Sequence, residues 1–490
     1  MTRRLEETLG KIGSPRILVA GDLMLDRYVW GDVRRISPEA PVPVLKVRNE
    51  ENKLGGAGNV ARNLVTLGAQ VSCCGIVGND YHGNLVLEEL RKTGVDHSGV
   101  VTVGDRPTIV KTRMIAHAQQ MVRVDREDAD GIDGETENAV LAFLATAIPE
   151  HDLVIISDYD KGLLSATIAK EIVALARRHG KNVLVDSKAD DLSKYSGATT
   201  ITPNRREAEK ITGTAIAGPE TIEQAAQQLL MDYDLDFATI TLDTDGIAVC
   251  DGEGCEVLPT EPIEVYDTTG AGDMVLSVMG LALAAGFSSR DAARLANAAA
   301  GIEVSRVGVS PLTRKEIADR LAEQQISPSK KIKTLPELLK IVEEAKRKRR
   351  VIVFTNGCFD VLHIGHIKYL QYARTQGDLF VVGVNTDASV TRLKGPNRPI
   401  LKQHDRGQIL AAVESVDYIV FFDEDTPMKL LKTVRPDVLV KGAEYSKEQV
   451  VGADFVESYG GKIRLAPMIE GISTSNIVKV ILDRYRNSDS

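Results

Sequence analysis

The chain has 490 residues, 43% hydrophobic and 26% charged, in ordinary globular proportion. At about 100–200 residues per domain that length suggests two to four domains. No stretch approaches the roughly 18 consecutive apolar residues of a membrane span, and the opening MTRRLEETLG lacks the apolar core of a signal peptide. The cysteines Cys73, Cys74, Cys250, Cys255 and Cys358 are odd in number and form no CxxC pair. That pattern argues against a disulfide framework or structural zinc, and for a reduced, cytoplasmic protein.

Net charge is −9 but unevenly spread: from Lys331 onward there are 25 Lys+Arg against 20 Asp+Glu, leaving 35 and 49 before it. The asymmetry supports two separate units. The basic run Lys346–Arg350 reads as a solvated helix end; no aromatic stripe accompanies it, so nucleic acid is not an expected partner.

In chain order, RILVAGD (Arg16–Asp22), LVIISD (Leu153–Asp158), NVLVDSK (Asn182–Lys188) and ATITLD (Ala238–Asp243) read as buried parallel strands. Helical patterns such as SATIAKEIVALARRHG lie between them, the signature of a doubly wound α/β sheet. Tyr28 to Val47 alternates apolar with polar and carries Pro38, Pro41 and Pro43, which suits an accessory β-flap. Near ISPSKKIKTLP the helical pattern breaks, so the chain is divided into residues 1–325, a linker at 326–350 and a second unit at 351–490. The second unit opens another βα series, with VIVFTNG, DLFVVGVNTD, DYIVFF, DVLVKG and KIRLAP as strands.

The first chemical signal is DTTGAGD, Asp267–Asp273, ahead of the apolar helix MVLSVMGLALAAG. Free N–H groups at a glycine-rich helix start bind phosphate oxygens. A carboxylate at its lip, Asp273, can take the proton of an attacking hydroxyl. Alone, GAGD would serve equally as a capped turn, but it has company. GGAGN holds the paired glycines Gly55 and Gly56, which let backbone approach a ligand. Its Asn59 offers a donor and an acceptor to a polyol. Asp22 ends the first strand, at the carboxyl edge where such sheets bind ligands. Asn204-Arg205-Arg206-Glu207 follows a strand, and Glu207 is suited to hold Mg²⁺ through water.

In this order the elements, over roughly residues 12–320, resemble the ribokinase/PfkB family of sugar kinases. The resemblance implies a three-layer α/β domain with a β-lid, and ATP as phosphate donor. It assigns the sugar to Asp22, Gly55, Gly56 and Asn59, the anion hole to Gly270, Ala271 and Gly272, and the base to Asp273. Nucleotide contacts fall to Asn204, Arg205, Arg206 and Glu207. Family members often carry T-x-G-x-x-G where this chain reads TLDTDG, with Asp243 at the first glycine.

The second unit carries TNGCFDVLHIGHIKYL. His363 and His366, three apart at a helix start, share a face and suit an α-phosphate that gains negative charge under attack. No third ligand supports zinc. GISTSNIVKVI sets Ser473, Thr474 and Ser475 at a helix start, fit for β- and γ-phosphates. Lys394 reads equally as a phosphate clamp or an exposed loop lysine, and Cys358 as a small site-lining residue. GxFDxxHxGH with ISTSxI, over about residues 351–485, resembles the cytidylyltransferase-like nucleotidyltransferases, a Rossmann-like α/β/α family. That resemblance adds Phe359 to the nucleotide site and implies direct attack of a substrate phosphate on the α-phosphate, with pyrophosphate leaving.

The two units in this order resemble the bacterial bifunctional heptose 7-phosphate kinases/heptose 1-phosphate adenylyltransferases, which make ADP-heptose for the lipopolysaccharide core. This implies ATP and Mg²⁺ in use, sugar phosphates as substrates, and a separate bisphosphate phosphatase in the pathway. The lid's apolar alternation could pair with a second copy or close over sugar. Two other readings remain at this stage: a kinase–cytidylyltransferase for another polyol phosphate, and a catalytically dead sugar-phosphate sensor. The sensor would be expected to have lost Asp273 or a histidine of HxGH, and all are present.

Overall fold

A computed structural model describes residues 9–10, 12–117, 119–260, 268–306, 310–326, 328–443, 446–467, 478 and 484. Contacts divide the chain into two units, Met1–Ala322 and Glu323–Ser490. The first unit's strands are β1 (Arg16–Gly21), β2 (Leu23–Ile36), β3 (Pro43–Gly56), β4 (Gln70–Gly78), β5 (Asp96–Val103), β6 (Ile109–Ala116) and β7 (Gln119–Arg126). They continue with β8 (Leu153–Asp158), β9 (Asn182–Ser187), β10 (Thr200–Ile201), β11 (Ala238–Thr241), β12 (Ile247–Asp251) and β13 (Gly254–Leu258).

A parallel sheet ordered β10-β9-β8-β1-β4-β5 forms the centre. Its two faces bury alternate residues of one strand: Ile17 and Val19 join one apolar cluster, Leu18 and Ala20 the other. Such two-sided burial explains why β1 and β8 read as continuous apolar runs, each fully buried Val, Leu or Ile side chain contributing about 1.5–3 kcal/mol. The helices Ala57–Thr66 and Ala271–Ala284 cover the first face, and Gly134–Glu150 and Ala166–Arg178 the second.

The flap is larger than expected. Strands β2 and β3 run 14 residues each and combine with β6 and β7 in a sheet ordered β3-β2-β6-β7. Every residue of β7 is exposed, so it lacks the buried apolar pattern that marks a strand in sequence. Strand β11 also differs from expectation. It pairs antiparallel with β12 and meets the parallel system beside β10, through a parallel bridge between Asn204 and Thr241 and a hydroxyl contact between Thr200 and Thr239. Along the β12–β13 hairpin Cys250 and Cys255 stand opposite one another and are joined by a disulfide. That corrects the expectation of unpaired cysteines: hairpin register, invisible in the spacing, sets them side by side.

In the second unit β14 (Ile332–Lys333), β15 (Ile352–Gly357), β16 (Leu379–Asn385), β17 (Tyr418–Phe422), β18 (Val438–Gly442) and β19 (Lys462–Ala466) form a parallel sheet ordered β14-β17-β16-β15-β18-β19. The expected linker at 326–350 is therefore corrected. Its β14 is the edge strand of this sheet. The helix Leu335–Arg347, opened by a Thr334–Glu337 capping box, buries Leu338, Val342 and Ala345 against Ile352 and Phe354. Pro328 and Ser329, read as part of a break, fall in a 3₁₀ turn over Pro328–Lys331 that leads into β14. Among the described residues no helix is long and apolar enough to cross a membrane.

Candidate active sites

In the first unit Gly270 caps the helix Ala271–Ala284 at φ 86°, a left-handed conformation that favours glycine. The helix start opens on a cavity of about 680 Å³ lined by Gly270, Ala271, Gly272 and Asp273. Asp267, the first residue of the motif, lies outside the described residues.

Asp273 sits in the first helical turn and is only 7% exposed. Asn59 Nδ2 donates to its Oδ2 at 2.6 Å, and the Tyr159 hydroxyl to its Oδ1 at 3.0 Å. Burial, reinforced by the charge of Asp186, pushes its carboxyl up to about 6, against the opposing Asn59 and Tyr159 hydrogen bonds. A carboxylate of that basicity is ionised at neutral pH yet a better proton acceptor than an ordinary aspartate.

Gly56, at φ 55°, turns β3 into the helix that carries Asn59, and a Cβ there would lie 2.5 Å from the Asp22 carbonyl oxygen. Asp22 directly follows β1. It is 1% exposed, and its Oδ2 accepts from the Tyr159 N–H at 2.8 Å and the Lys161 N–H at 3.2 Å. Burial, with Asp158 nearby, pushes its carboxyl up to about 6. These two bonds fix the turn that carries Tyr159 beside Asp273, while Asp22 Oδ1 is buried with no hydrogen-bond partner among the described residues. The carboxylate beside the glycine pair belongs to Asp26 on β2, ion-paired with Arg113 of β6.

Around the same cavity, Lys188 bridges Asp186 at 3.1 Å and Glu207 at 2.9 Å. The two carboxylates hold its ammonium protonated. Asn204 and Glu207 form a reciprocal capping box at the start of the helix Arg205–Thr212, and both line the cavity. Arg205 and Arg206 do not. Arg205 turns to the Leu242 carbonyl at 3.2 Å and Asp245 at 2.6 Å, bracing the loop at 242–245, and Arg206 is exposed. Asp243 adopts φ 54°, left-handed backbone of the kind that favours glycine. Aspartate tolerates it better than most residues. Tyr159, Asp186 and Lys188 were not singled out in the sequence, although each stands at or just past a strand's carboxyl end, the one signal available.

In the second unit His363 caps the helix Ile364–Arg374, and its ring stacks on His366 with centroids 3.9 Å apart. Burial lowers both histidines, His366 to about 4 with help from the charges of His363 and Lys394. Lowered in this way the rings favour the neutral form, and neither Nδ1 has a hydrogen-bond partner among the described residues. Lys394 is exposed but close enough to act on His366. Phe359, at φ 46°, is buried beneath His366, ring centroids 5.5 Å apart. Ser473, Thr474 and Ser475 lie outside the described residues.

Two residues missed in the sequence hold the loop at 398–401 against this motif. Asp360 Oδ1 accepts from Ile400 N–H at 2.7 Å and Leu401 N–H at 3.0 Å, while its Oδ2 pairs with Arg398 at 2.6 Å. Arg406, fully buried, donates to the Cys358 carbonyl at 2.6 Å, the Leu401 carbonyl at 3.1 Å and Asp387 at 2.8 Å. A buried guanidinium with three bonds has no periodic signature, which is why it went unread. Cys358 is a free thiol whose Sγ lies 3.8 Å from Asn385 Oδ1.

Residues 14–316 match the pfkB family carbohydrate kinase model, and residues 354–480 the cytidylyltransferase-like model. The first unit has the fold of an Arabidopsis thaliana ribokinase solved with ribose and ATP: 21% identity, TM-score 0.51, covering 63% of this chain and 99% of that one. Escherichia coli phosphofructokinase-2, solved with potassium, is similar at 20% identity and TM-score 0.55, covering 64% of this chain and 99% of that one. The bifunctional protein HldE of Syntrophotalea carbinolica is 46% identical over 98% of both chains. That of Geobacter metallireducens is 48% identical over 96% of both. The chain belongs to the family of bifunctional HldE proteins, enzymes that join a carbohydrate kinase to a cytidylyltransferase-like nucleotidyltransferase.

Proposed function

We propose that Asp273 and the pair His363/His366 carry the two activities of this chain. The first is ATP-dependent phosphorylation of D-glycero-β-D-manno-heptose 7-phosphate at its anomeric hydroxyl. The second is adenylyl transfer from ATP to heptose 1-phosphate. The observation that carries the reading is the 2.6 Å bond from Asn59 to Asp273, which joins two motifs 214 residues apart beside the cavity that Asp273 lines.

In the kinase step Asp273 accepts the hydroxyl proton as the sugar oxygen attacks the γ-phosphorus and ADP leaves. The N–H groups at Gly270–Gly272 receive the phosphoryl oxygens in a site where preorganised donors cost no reorganisation. The sugar lies against Gly55, Gly56 and Asn59, with Asp26 beside them. Bound Mg²⁺ supplies charge neutralisation to the phosphates. Glu207 suits its waters: its oxygens accept from Asn204 N–H and Lys188 but keep lone pairs for water.

In the second step an oxygen of the sugar 1-phosphate, already an anion, attacks the α-phosphorus, and the bond to pyrophosphate breaks. The neutral His363 and His366 donate hydrogen bonds to the α-phosphate as charge builds. Lys394, Ser473, Thr474 and Ser475 bind the departing phosphates. Cys358 forms no covalent bond.

Neither unit offers a hydrolase motif, so a separate phosphatase must remove the 7-phosphate between the steps. We place the protein in the cytoplasm, where ATP is supplied. The exposed apolar side chains Met121, Val122 and Val124 of β7 suit pairing with a second copy. Incubation with ATP or CTP and candidate sugar phosphates, with products identified by mass spectrometry, tests the reading; CDP-sugar formation would overturn the adenylyl assignment.

A further inference from the structure

The hydrogen bonds around Asn59 tell the two ends of its amide apart. Arg62, one turn further along the same helix, donates from Nη2 to Asn59 Oδ1 at 2.7 Å. On its other side Asn59 Nδ2 stands 2.6 Å from Asp273 Oδ2. A guanidinium carries donors only. The amide atom facing Arg62 is therefore the oxygen, and the NH₂ is left for the base. An amide flips with almost no change of shape. A flipped Asn59 would set its oxygen against a carboxylate oxygen and withdraw one of the two bonds that hold Asp273.

We infer that Arg62 is a positioning residue for phosphoryl transfer, holding the Asn59 amide in the one orientation that donates to Asp273. This rests on the assignment of Asp273 as the base. Arg62 does not line the nucleotide cavity and acts only through Asn59. Its own support comes from another layer. Glu303, 1% exposed on the helix Ser289–Val304, is the carboxylate acting most strongly on Arg62, followed by Tyr28, Asp26 and Asp273.

The groups facing Asp273 are Asn59 and Arg62 from one helix, Tyr159 from the turn after β8, and Asp186 and Lys188 from β9 and just beyond it. Asp186 disfavours the carboxylate; Asn59, Tyr159, Lys188 and Arg62 favour it. Losing the Asn59 donor and the Arg62 charge removes stabilisation of the ionised base. The acid limb of the kinase profile must then move to higher pH.

The experiment measures kinase kcat/KM from pH 5 to 9 in the full chain, with the urea midpoint of the kinase unit as the check on its folding and adenylyl transfer followed in parallel. R62M leaves Glu303 without that cation, which can unfold the unit, so R62M/E303M is made beside it as an apolar replacement of both. The expected result for the double variant is unchanged adenylyl transfer with the acid limb displaced upward by about one pH unit, the scale of one hydrogen bond to a charged group. R62K, which keeps donor and charge, should restore the limb to near its native place. A limb in R62M/E303M within about 0.2 unit of native, or R62K displaced as far as R62M, overturns the inference. D273N separates the two failures: if it stays active, the base assignment itself falls; if it is inactive and the limb has not moved, only the role of Arg62 falls.

Discussion

Replacing Asp273 with asparagine probes the kinase site most sharply, because it removes a proton acceptor and little else. The side chain keeps its size, and the Asn59 amide still has an oxygen to donate to. The Tyr159 hydroxyl can rotate to accept from the new NH₂, so the fold should survive. Losing a general base costs roughly 10²–10⁴-fold in rate, or about 3–5 kcal/mol of transition-state stabilisation.

The native profile carries the complementary signature. With the carboxyl near 6, chiefly through burial, the working form is the deprotonated one, so activity is lost as pH falls through about 6. At pH 5 only about a tenth of the sites are ionised, and kcat/KM should stand about tenfold below its plateau. ADP release with sugar 7-phosphate measures both effects, with adenylyl transfer to a sugar 1-phosphate as the internal control. An Asp273→Asn variant within tenfold of native, or a native kinase profile flat to pH 5, would refute the base assignment.

Other outcomes follow from the second unit. His363→Ala or His366→Ala should lower adenylyl transfer by about 10²-fold or more, as for loss of a preorganised donor, while the kinase rate stays constant; equal damage to both activities would contradict it. Arg406→Met strips a buried ion pair from Asp387 and two carbonyl bonds, and should destabilise this unit by about 3 kcal/mol, read as a lower midpoint in urea with the kinase unit unaffected. Separate expression of 1–322 and 323–490 should give two folded fragments with one activity each. A fragment beginning at 351 should fail to fold, since it lacks β14 and the buried face of the helix Leu335–Arg347; a stable, active 351–490 would disprove that account.

Much of this architecture was readable because burial on both sheet faces writes itself into β1, β8, β9, β15 and β16 as unbroken apolar runs. The glycine-rich helix start before Asp273 and the HxGH helix start were equally plain, since anion binding at a helix end needs particular residues at fixed spacing. What escaped was set by distant partners. Strand β7 is exposed along its whole length and carries no core pattern. The edge strand β14 is two residues long and hid inside an expected linker. The place of Asp22 after β1 was plain, but only the fold shows its Oδ2 accepting from the Tyr159 and Lys161 N–H groups. Arg62 acts on Asn59 within one helical turn and Arg406 through three bonds to separate segments, and no motif announces either.

The most direct test of the whole account asks where the purified chain stops. It is given ATP, Mg²⁺ and heptose 7-phosphate, and the products are identified by mass spectrometry. The kinase should convert the sugar to its 1,7-bisphosphate. A distal phosphate adds about two charges, and a transferase pocket shaped for a neutral hydroxyl would leave them desolvated and unpaired, which is strongly unfavourable. The reaction should therefore stall at the bisphosphate, and adding a separate phosphatase should release ADP-heptose and pyrophosphate. ADP-heptose accumulating without a phosphatase, or no bisphosphate at all, would contradict the account.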